Sequence, residues 1–296
     1  MNATKITAEF VSSRMPARSD SGNKGTFGQF LLVAGSRYMT GAPQLAVSSA
    51  LRSGTGLVRL FAPDDAMVAV RNNCPCAVLS SSDREDYLAE LFRLAGRCAA
   101  SGIGPGIDHG DPKNDAMLSV LIENAPKLII DASALTILAK HRDMGLMGLA
   151  DRPSKGLAPA ILTPHIGEFK RFGYADIDFE DYECDVVKNA AITFSKTNNC
   201  ILVLKNHITL VTTPEGKCYY IKGDNSGMAK GGSGDVLTGL IGGFLASGFE
   251  PEAAALAGVY VHSRGGQIAA DDLGKLFMLP TDVIDRFPQV YKELGW

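Results

Sequence analysis

Apolar positions divide the chain into alternating strand and helix patterns. Gln29 to Ala34 (Gln-Phe-Leu-Leu-Val-Ala) is an unbroken apolar run closed by Gly35-Ser36, the pattern of a strand buried on both faces. From Gly41 to Gly54 the period changes. Leu45, Ala46, Ser49, Ala50 and Leu51 recur at helical spacing, and Gly54 and Gly56 stop the helix. Leu57 to Phe61 predicts the next strand, which completes a βαβ unit.

The alternation then repeats. Helices are predicted over Tyr87–Gly96, Ala116–Asn124, Ser133–Lys140 and Asp181–Thr197, and strands over Ala99–Ile103, Lys127–Asp131, Ala160–Thr163 and Ile201–Lys205. Thr209–Thr213 and Lys217–Ile221 flank Pro214-Glu215-Gly216, which reads as a hairpin turn. Ser233–Ala246, Pro251–Ala270 and a stretch near Thr281–Leu294 close the pattern as helices. The Gly- and Pro-rich segment Asp143–Pro159 reads as a surface loop. The fold class is therefore α/β: a mostly parallel central sheet with helices on both faces and a C-terminal-side antiparallel hairpin. No repeat or linker divides it, so a single domain over 1–296 is expected.

Composition narrows the function. With 296 residues, 46% of them hydrophobic, the chain can bury a large core. A formal charge of -3, an isoelectric point near 6.0 and 7% aromatic residues disfavour nucleic acid as a partner. Cys74, Cys76, Cys98, Cys184, Cys200 and Cys218 match neither a zinc framework nor a compact disulfide scaffold, and read as free thiols in a reducing compartment. The N-terminus lacks a signal-peptide pattern, and no run nears the roughly 18 apolar residues needed to cross a bilayer, so a cytoplasmic protein with no membrane association is expected.

The densest chemistry lies at Asn225 to Gly239, where Gly231-Gly232-Ser233-Gly234-Asp235 runs directly into an apolar helix. Glycines let backbone approach a ligand closely, and a helix N-terminus presents free N–H groups to a phosphate. Asp235 beside such a site suits a base that deprotonates the attacking group. The plainer alternative, a helix-capping turn, needs fewer glycines. Other unusual segments fall at strand ends, where ligands collect in open α/β sheets: Gly35-Ser36 with Gly41-Ala42, Gly102 to Gly106, Asp131, Thr163 to Glu168, and Lys205. Singly, each has a bland reading: a turn, an N-cap for Asp131, a structural histidine for His165, a solvated charge for Lys205. No P-loop, nucleophile elbow or His-Xaa-Xaa-Xaa-His pair occurs.

Together these segments resemble a known family. Gly232-Ser233-Gly234-Asp235 is similar to the anion hole and base of ribokinase-like kinases. The larger set resembles the ADP- or ATP-dependent NAD(P)H-hydrate dehydratases: Lys24-Gly25-Thr26-Phe27-Gly28, Gly35-Ser36, Gly41-Ala42, Gly104-Pro105-Gly106, Thr163 to Glu168, Lys205 to Thr209, and Asn225 to Gly239. The resemblance implies a ribokinase-like fold and a repair reaction. The hydroxyl of hydrated NAD(P)H (the S epimer) is phosphorylated, with ADP favoured over ATP as donor, and phosphate then leaves to restore NAD(P)H. It implies Asp235 as base and substrate contact, Gly232, Ser233 and Gly234 as anion hole, and Lys205, Asn206, His207, Ile208, Thr209 and Gly234 around the nucleotide. It further implies Ala42, Gly106 and His165 in the hydrate pocket, Glu168 and Asp131 near Mg2+ without a directly assigned metal ligand, a homotetramer, and a separate epimerase as functional partner. Departures fall at Asn206 (usually Gly), Ser133 (usually Asp), Ile166 (usually Pro) and Lys230 (often Thr). Two rivals stand: a kinase of the same fold acting on a vitamin-precursor alcohol, and a nucleotide-binding protein without catalysis.

Overall fold

The computed structural model describes residues 3–177 and 185–296. In chain order the elements are β1 (Thr4–Lys5), α1 (Ala8–Ser12), β2 (Gln29–Val33), α2 (Gly41–Leu51), β3 (Leu57–Ala62), α3 (Asp64–Asn73) and β4 (Val78–Ser81). They continue with α4 (Tyr87–Ala95), β5 (Ala100–Ile103), α5 (Pro112–Asn124), β6 (Leu128–Ile130), α6 (Ala132–Lys140), α7 (Arg142–Ala150) and β7 (Ile161–Leu162). The last are α8 (Ile166–Phe169), α9 (Asp185–Asn198), β8 (Ile201–Leu204), β9 (Ile208–Thr212), β10 (Cys218–Lys222), α10 (Ser233–Ala246), α11 (Pro251–Leu273) and α12 (Pro280–Leu294).

The strands form one ten-stranded sheet in the order β1-β10-β9-β8-β7-β6-β5-β2-β3-β4. From β8 to β4 every pairing is parallel, while β9 is antiparallel to both β8 and β10. The hairpin lies where the turn signal placed it. Side chains alternate across the sheet, as the strand period requires. Phe30 and Leu32 enter the core beneath α2 and α10 to α12, and Leu31 and Val33 enter the core beneath α4 to α7 and α9. Two buried faces explain why β2 reads as a continuous apolar run. Helix α10 is buried along nearly its whole length after Asp235, packed between the sheet and α2. Its N-terminus is thereby fixed at the carboxyl end of the parallel strands.

Several elements went beyond the apolar pattern. The predicted loop Asp143–Pro159 contains α7 and a 3-10 turn at Arg152–Lys155. Its organiser is Arg152, fully buried and donating to the carbonyls of Ile122 (2.6 Å), Ala125 (2.8 Å) and Ala158 (2.8 Å). The strands β1 and β4 and the helices α1, α3 and α8 were not anticipated. The start of the predicted helix Asp181–Thr197 lies outside the described residues, as does Cys184. The five described cysteines are free. No described helix is long and apolar enough to cross a membrane.

Candidate active site at the carboxyl end of the sheet

Strand ends β6, β7 and β8 and the start of α10 converge on one cavity of about 1130 Å³. Asp131 follows β6, His165 and Glu168 follow β7, Lys205 follows β8, and Gly232 to Asp235 open α10; all of them line it. A bridge between His165 and Lys205, closed by Lys205 N–H donating to Pro164 O (2.9 Å), sets those two side by side.

Asp131 occupies the N-cap position of α6 but makes no capping bond. Its carboxylate, 1% exposed, accepts instead from Lys205 Nζ (2.9 Å) and Thr238 Oγ1 (2.6 Å). The capping alternative for Asp131 therefore fails on geometry. The ion pair lies directly under Gly234, where an added Cβ would sit 3.2 Å from Lys205 Nζ. Burial opposes the charge on Lys205, but Asp131, Glu168 and Asp235 outweigh it and hold the lysine pKa above its ordinary value. Lys205 is not a solvated surface charge.

Asp235 is the first acidic residue of α10. Burial, reinforced by the negative charge of Asp131 and partly offset by Lys205, raises its carboxyl from an ordinary 3.8 to about 7. A carboxylate near neutrality is suited to accept a proton at physiological pH. Around it, Gly232 is left-handed at φ 99°, a conformation that favours glycine. Among the described residues the N–H groups of Gly234 and Asp235 have no partner, as at any helix start, and both residues line the cavity, so these groups are available as anion donors. The Ser233 N–H, expected in the anion hole, is instead committed to Lys230 O (3.2 Å).

His165 and Glu168 form a capping box: Glu168 Oε2 accepts from His165 N–H (2.9 Å), and His165 Nδ1 accepts from Glu168 N–H (3.3 Å). This bond leaves the proton on Nε2. Burial, then Lys205, lowers the His165 pKa, while burial raises that of Glu168. Ile166 fits as the first helical residue here, so loss of the usual proline does not disturb the turn.

Asn206, His207 and Thr209 line the same cavity, whereas the Ile208 side chain is buried in the core. Asn206 is not left-handed, so replacing glycine there adds no strain. Ala42 and Gly106 do not line this cavity. They touch one another beside Met39, next to a second cavity of about 640 Å³ lined by Gly35, Met39, Ile107 and Ser133. Of Ala42, Gly106 and His165, only His165 lines the main cavity; Ala42 and Gly106 line neither of these two hollows. Lys24 to Gly28 lies at the opposite edge: Gly28 abuts Ala246 at the far end of α10, and Gly28 O accepts from Leu57 at the start of β3. Its role is to hold strand starts, not the site.

Sequence reasoning missed Thr238 and His262. Thr238 stands three residues after Asp235 in the same motif, a spacing that puts both on one helix face. His262 lines the cavity from α11, with Nε2 buried and without a hydrogen-bond partner among the described residues, and its pKa lowered by burial to about 4; a lone histidine in an apolar helix carries no sequence signal.

Comparison with known proteins places this geometry. The family profile for NAD(P)H-hydrate dehydratase matches residues 30–289. The ADP-dependent (S)-NAD(P)H-hydrate dehydratase of Bacillus subtilis is 31% identical over 300 residues, covering 99% of both chains. The bifunctional NAD(P)H-hydrate repair enzyme of Moorella thermoacetica is 32% identical over 99% of this chain, which spans only 54% of that relative's length. A crystal structure of the ADP/ATP-dependent NAD(P)H-hydrate dehydratase from B. subtilis, co-crystallised with ATP/Mg2+, superposes with a TM-score of 0.82 at 28% identity over 99% of each chain. Hydroxyethylthiazole kinase from Pyrococcus horikoshii shares the fold alone, at 13% identity and a TM-score of 0.58. With its fold, its glycine-rich helix start and a profile match across most of its length, the chain belongs to the NAD(P)H-hydrate dehydratase family.

Proposed function

We propose that this chain restores NAD(P)H from its S hydrate, with ADP as the expected phosphoryl donor and ATP as the alternative. The observation that carries the reading is Asp235, a carboxyl raised to about 7 at a helix start whose Gly234 and Asp235 N–H groups are free among the described residues. The ionised Asp235 takes the proton of the ring hydroxyl. The hydroxyl oxygen then attacks the donor's terminal phosphorus, that P–O bond breaks, and AMP leaves from ADP. Backbone N–H groups hold the transferred phosphoryl oxygens, and Lys205 beneath Gly234 adds positive charge. Phosphate is a far better leaving group than hydroxide. Its departure, assisted by the ring nitrogen's electron pair, and loss of a proton from the adjacent carbon restore the double bond.

Asn206, His207 and Thr209 are proposed to line the nucleotide and His165 the hydrate, with Ala42 and Gly106 next to the second hollow. Among the described residues no cluster of His, Cys, Asp or Glu could hold a metal by itself. The donor set fits Mg2+ carried on nucleotide phosphates, with Glu168 and Asp131 as the facing carboxylates. When bound there, the ion would neutralise phosphate charge. One continuous sheet supports a single-domain reading. A homotetramer, a cytoplasmic location and a separate epimerase converting the other hydrate epimer complete the proposal.

The test is direct. The protein is incubated with the hydrate, Mg2+ and either ADP or ATP, and recovery of reduced-nicotinamide absorbance is followed together with release of phosphate. Recovery with neither nucleotide would refute dehydration. Accumulation of a stable phosphorylated alcohol would favour a kinase instead.

A further inference from the structure

Lys230 departs from the family pattern, and its surroundings explain what it does here. Its backbone carbonyl accepts the Ser233 N–H (3.2 Å), so the residue forms the corner from which α10 starts. Lys230 lines the same cavity as Gly234 and Asp235, but its ammonium is engaged elsewhere. The ammonium donates to Leu276 O (2.9 Å) and Met278 O (2.6 Å) in the connection between α11 and α12. A second lysine crosses in the other direction, Lys275 Nζ donating to Asp224 O (2.7 Å).

Besides these lysines, the connection is held by Leu279 N–H donating to Asp282 Oδ2 (2.6 Å) and Asn225 Nδ2 donating to Met278 Sδ (3.7 Å), with few buried side chains of its own. Leu276, Phe277 and Leu279 are 76%, 75% and 53% exposed, and within this short stretch only Met278 is buried. Segments with few buried apolar contacts open easily unless polar bonds hold them. Met278 packs onto Gly227, and Pro280, which begins α12, lies 3.4 Å from where a Cβ on Gly232 would sit. The path is therefore continuous. Lys230 holds the connection, the connection seats Pro280, and Pro280 flanks the left-handed Gly232 that aims the free N–H groups of Gly234 and Asp235.

We propose that Lys230 is a positioning residue for phosphoryl transfer, clamping the α11–α12 connection onto the phosphate-binding loop so that donor binding depends on it. This rests on the reading of the cavity as the site of a nucleotide donor. It assigns the lysine to two carbonyl groups rather than to the nucleotide's phosphates.

The test compares Lys230→Met, which removes the ammonium at similar length, with Lys230→Arg, which keeps a charged donor for both carbonyls. ADP binding is measured by calorimetry, amide hydrogen exchange is followed over residues 231–235 and 274–279, and dehydration gives KM and kcat. Lys230→Met is expected to weaken ADP binding roughly tenfold, about what one charge-assisted hydrogen bond carries. It should accelerate exchange in both segments and raise the nucleotide KM more than it lowers kcat. Lys230→Arg should restore all three. Unchanged exchange with weakened ADP binding would overturn the clamp, because the ammonium would then be acting on phosphate directly. Unchanged binding and exchange would overturn it too. Calorimetry and exchange need no turnover, so an absence of dehydratase activity would sink the functional reading and leave the clamp decided on its own measurements.

Discussion

Replacing Asp235 with asparagine should stabilise the protein while abolishing its chemistry. Asparagine has nearly the shape of a protonated carboxyl and stays neutral at every pH. In the unfolded chain the Asp235 carboxyl titrates near 3.8, and in the fold near 7. Between those values the native state keeps a proton that the unfolded state has lost. Stability is therefore fully present below about pH 4, falls as pH rises through 7, and levels off above it. At about 1.4 kcal/mol for each tenfold change in proton affinity, the difference is on the order of 4 kcal/mol. Water entering the open cavity screens part of it, so a gain of about 2–4 kcal/mol at pH 8 is the expectation. For a protein of this size that is several degrees in Tm. Urea unfolding of wild type and Asp235→Asn near pH 8 and near pH 4 measures it, and the curves should separate at the higher pH and converge at the lower. Turnover should fall by about 10²–10⁴-fold, with ADP binding largely retained. A variant no more stable than wild type at pH 8 would refute the claim that burial disfavours the ionised form of this carboxyl. Parallel loss of turnover and nucleotide affinity would move Asp235 from proton transfer to binding.

The neighbours of Asp235 should shift its titration in opposite directions. Turnover should rise with pH through about 7 as Asp235 ionises; Asp131→Asn removes a negative neighbour and should move that limb to lower pH, whereas Lys205→Met removes a positive one and should move it higher. Limbs that move the same way in both variants would sink the electrostatic account. Far from the site, Arg152→Met should cost about 3–5 kcal/mol in chemical unfolding, because carbonyls of Ile122, Ala125 and Ala158 lose their donor in the core. The folded variant should keep wild-type kcat, and wild-type stability would show that these carbonyls find other partners.

The sequence made the central strands legible because both faces of the sheet are covered, and a doubly buried strand such as β2 has no polar position to blur its pattern. Edge strands escaped for the opposite reason: β4 is only half-buried throughout and β1 is two exposed residues. The segment Asp143–Pro159 looked like a loop because glycines and prolines outweighed its helical signal, yet a buried arginine bonding to carbonyls some thirty residues earlier organises it. At the site, the glycine-rich helix start and Asp235 were readable locally. What Asp131 and Lys230 do was not, because their partners are Lys205 and Thr238 for one and Leu276 and Met278 for the other, all distant in sequence. Spacing also could not show that Ala42 and Gly106 stand outside the cavity that His165 lines.

Ala132 shows how the fold holds this arrangement. It is left-handed, at φ 50°, immediately after Asp131. A non-glycine residue in that region costs roughly 1–2 kcal/mol. The turn carries Asp131 away from the N-cap bond that an aspartate before a helix ordinarily makes and delivers its carboxylate to Lys205 and Thr238. Gly104 presses against the Asp131 carbonyl so closely that a Cβ would overlap it, which leaves this backbone no room to relax. Asp131 is thus bound to the sheet by its backbone, accepted by Ile103 O (3.1 Å), and to α10 by its side chain. Thr238 and Asp235 lie one turn apart on that helix, so the bond that tethers the helix also fixes how far the base stands from the charge that tunes it. A lost capping bond and a strained residue are the local cost, and the buried length of α10 offsets it. The strained backbone and the raised carboxyl are therefore parts of a single device, which sets the register of a helix-borne base against a sheet-borne charge.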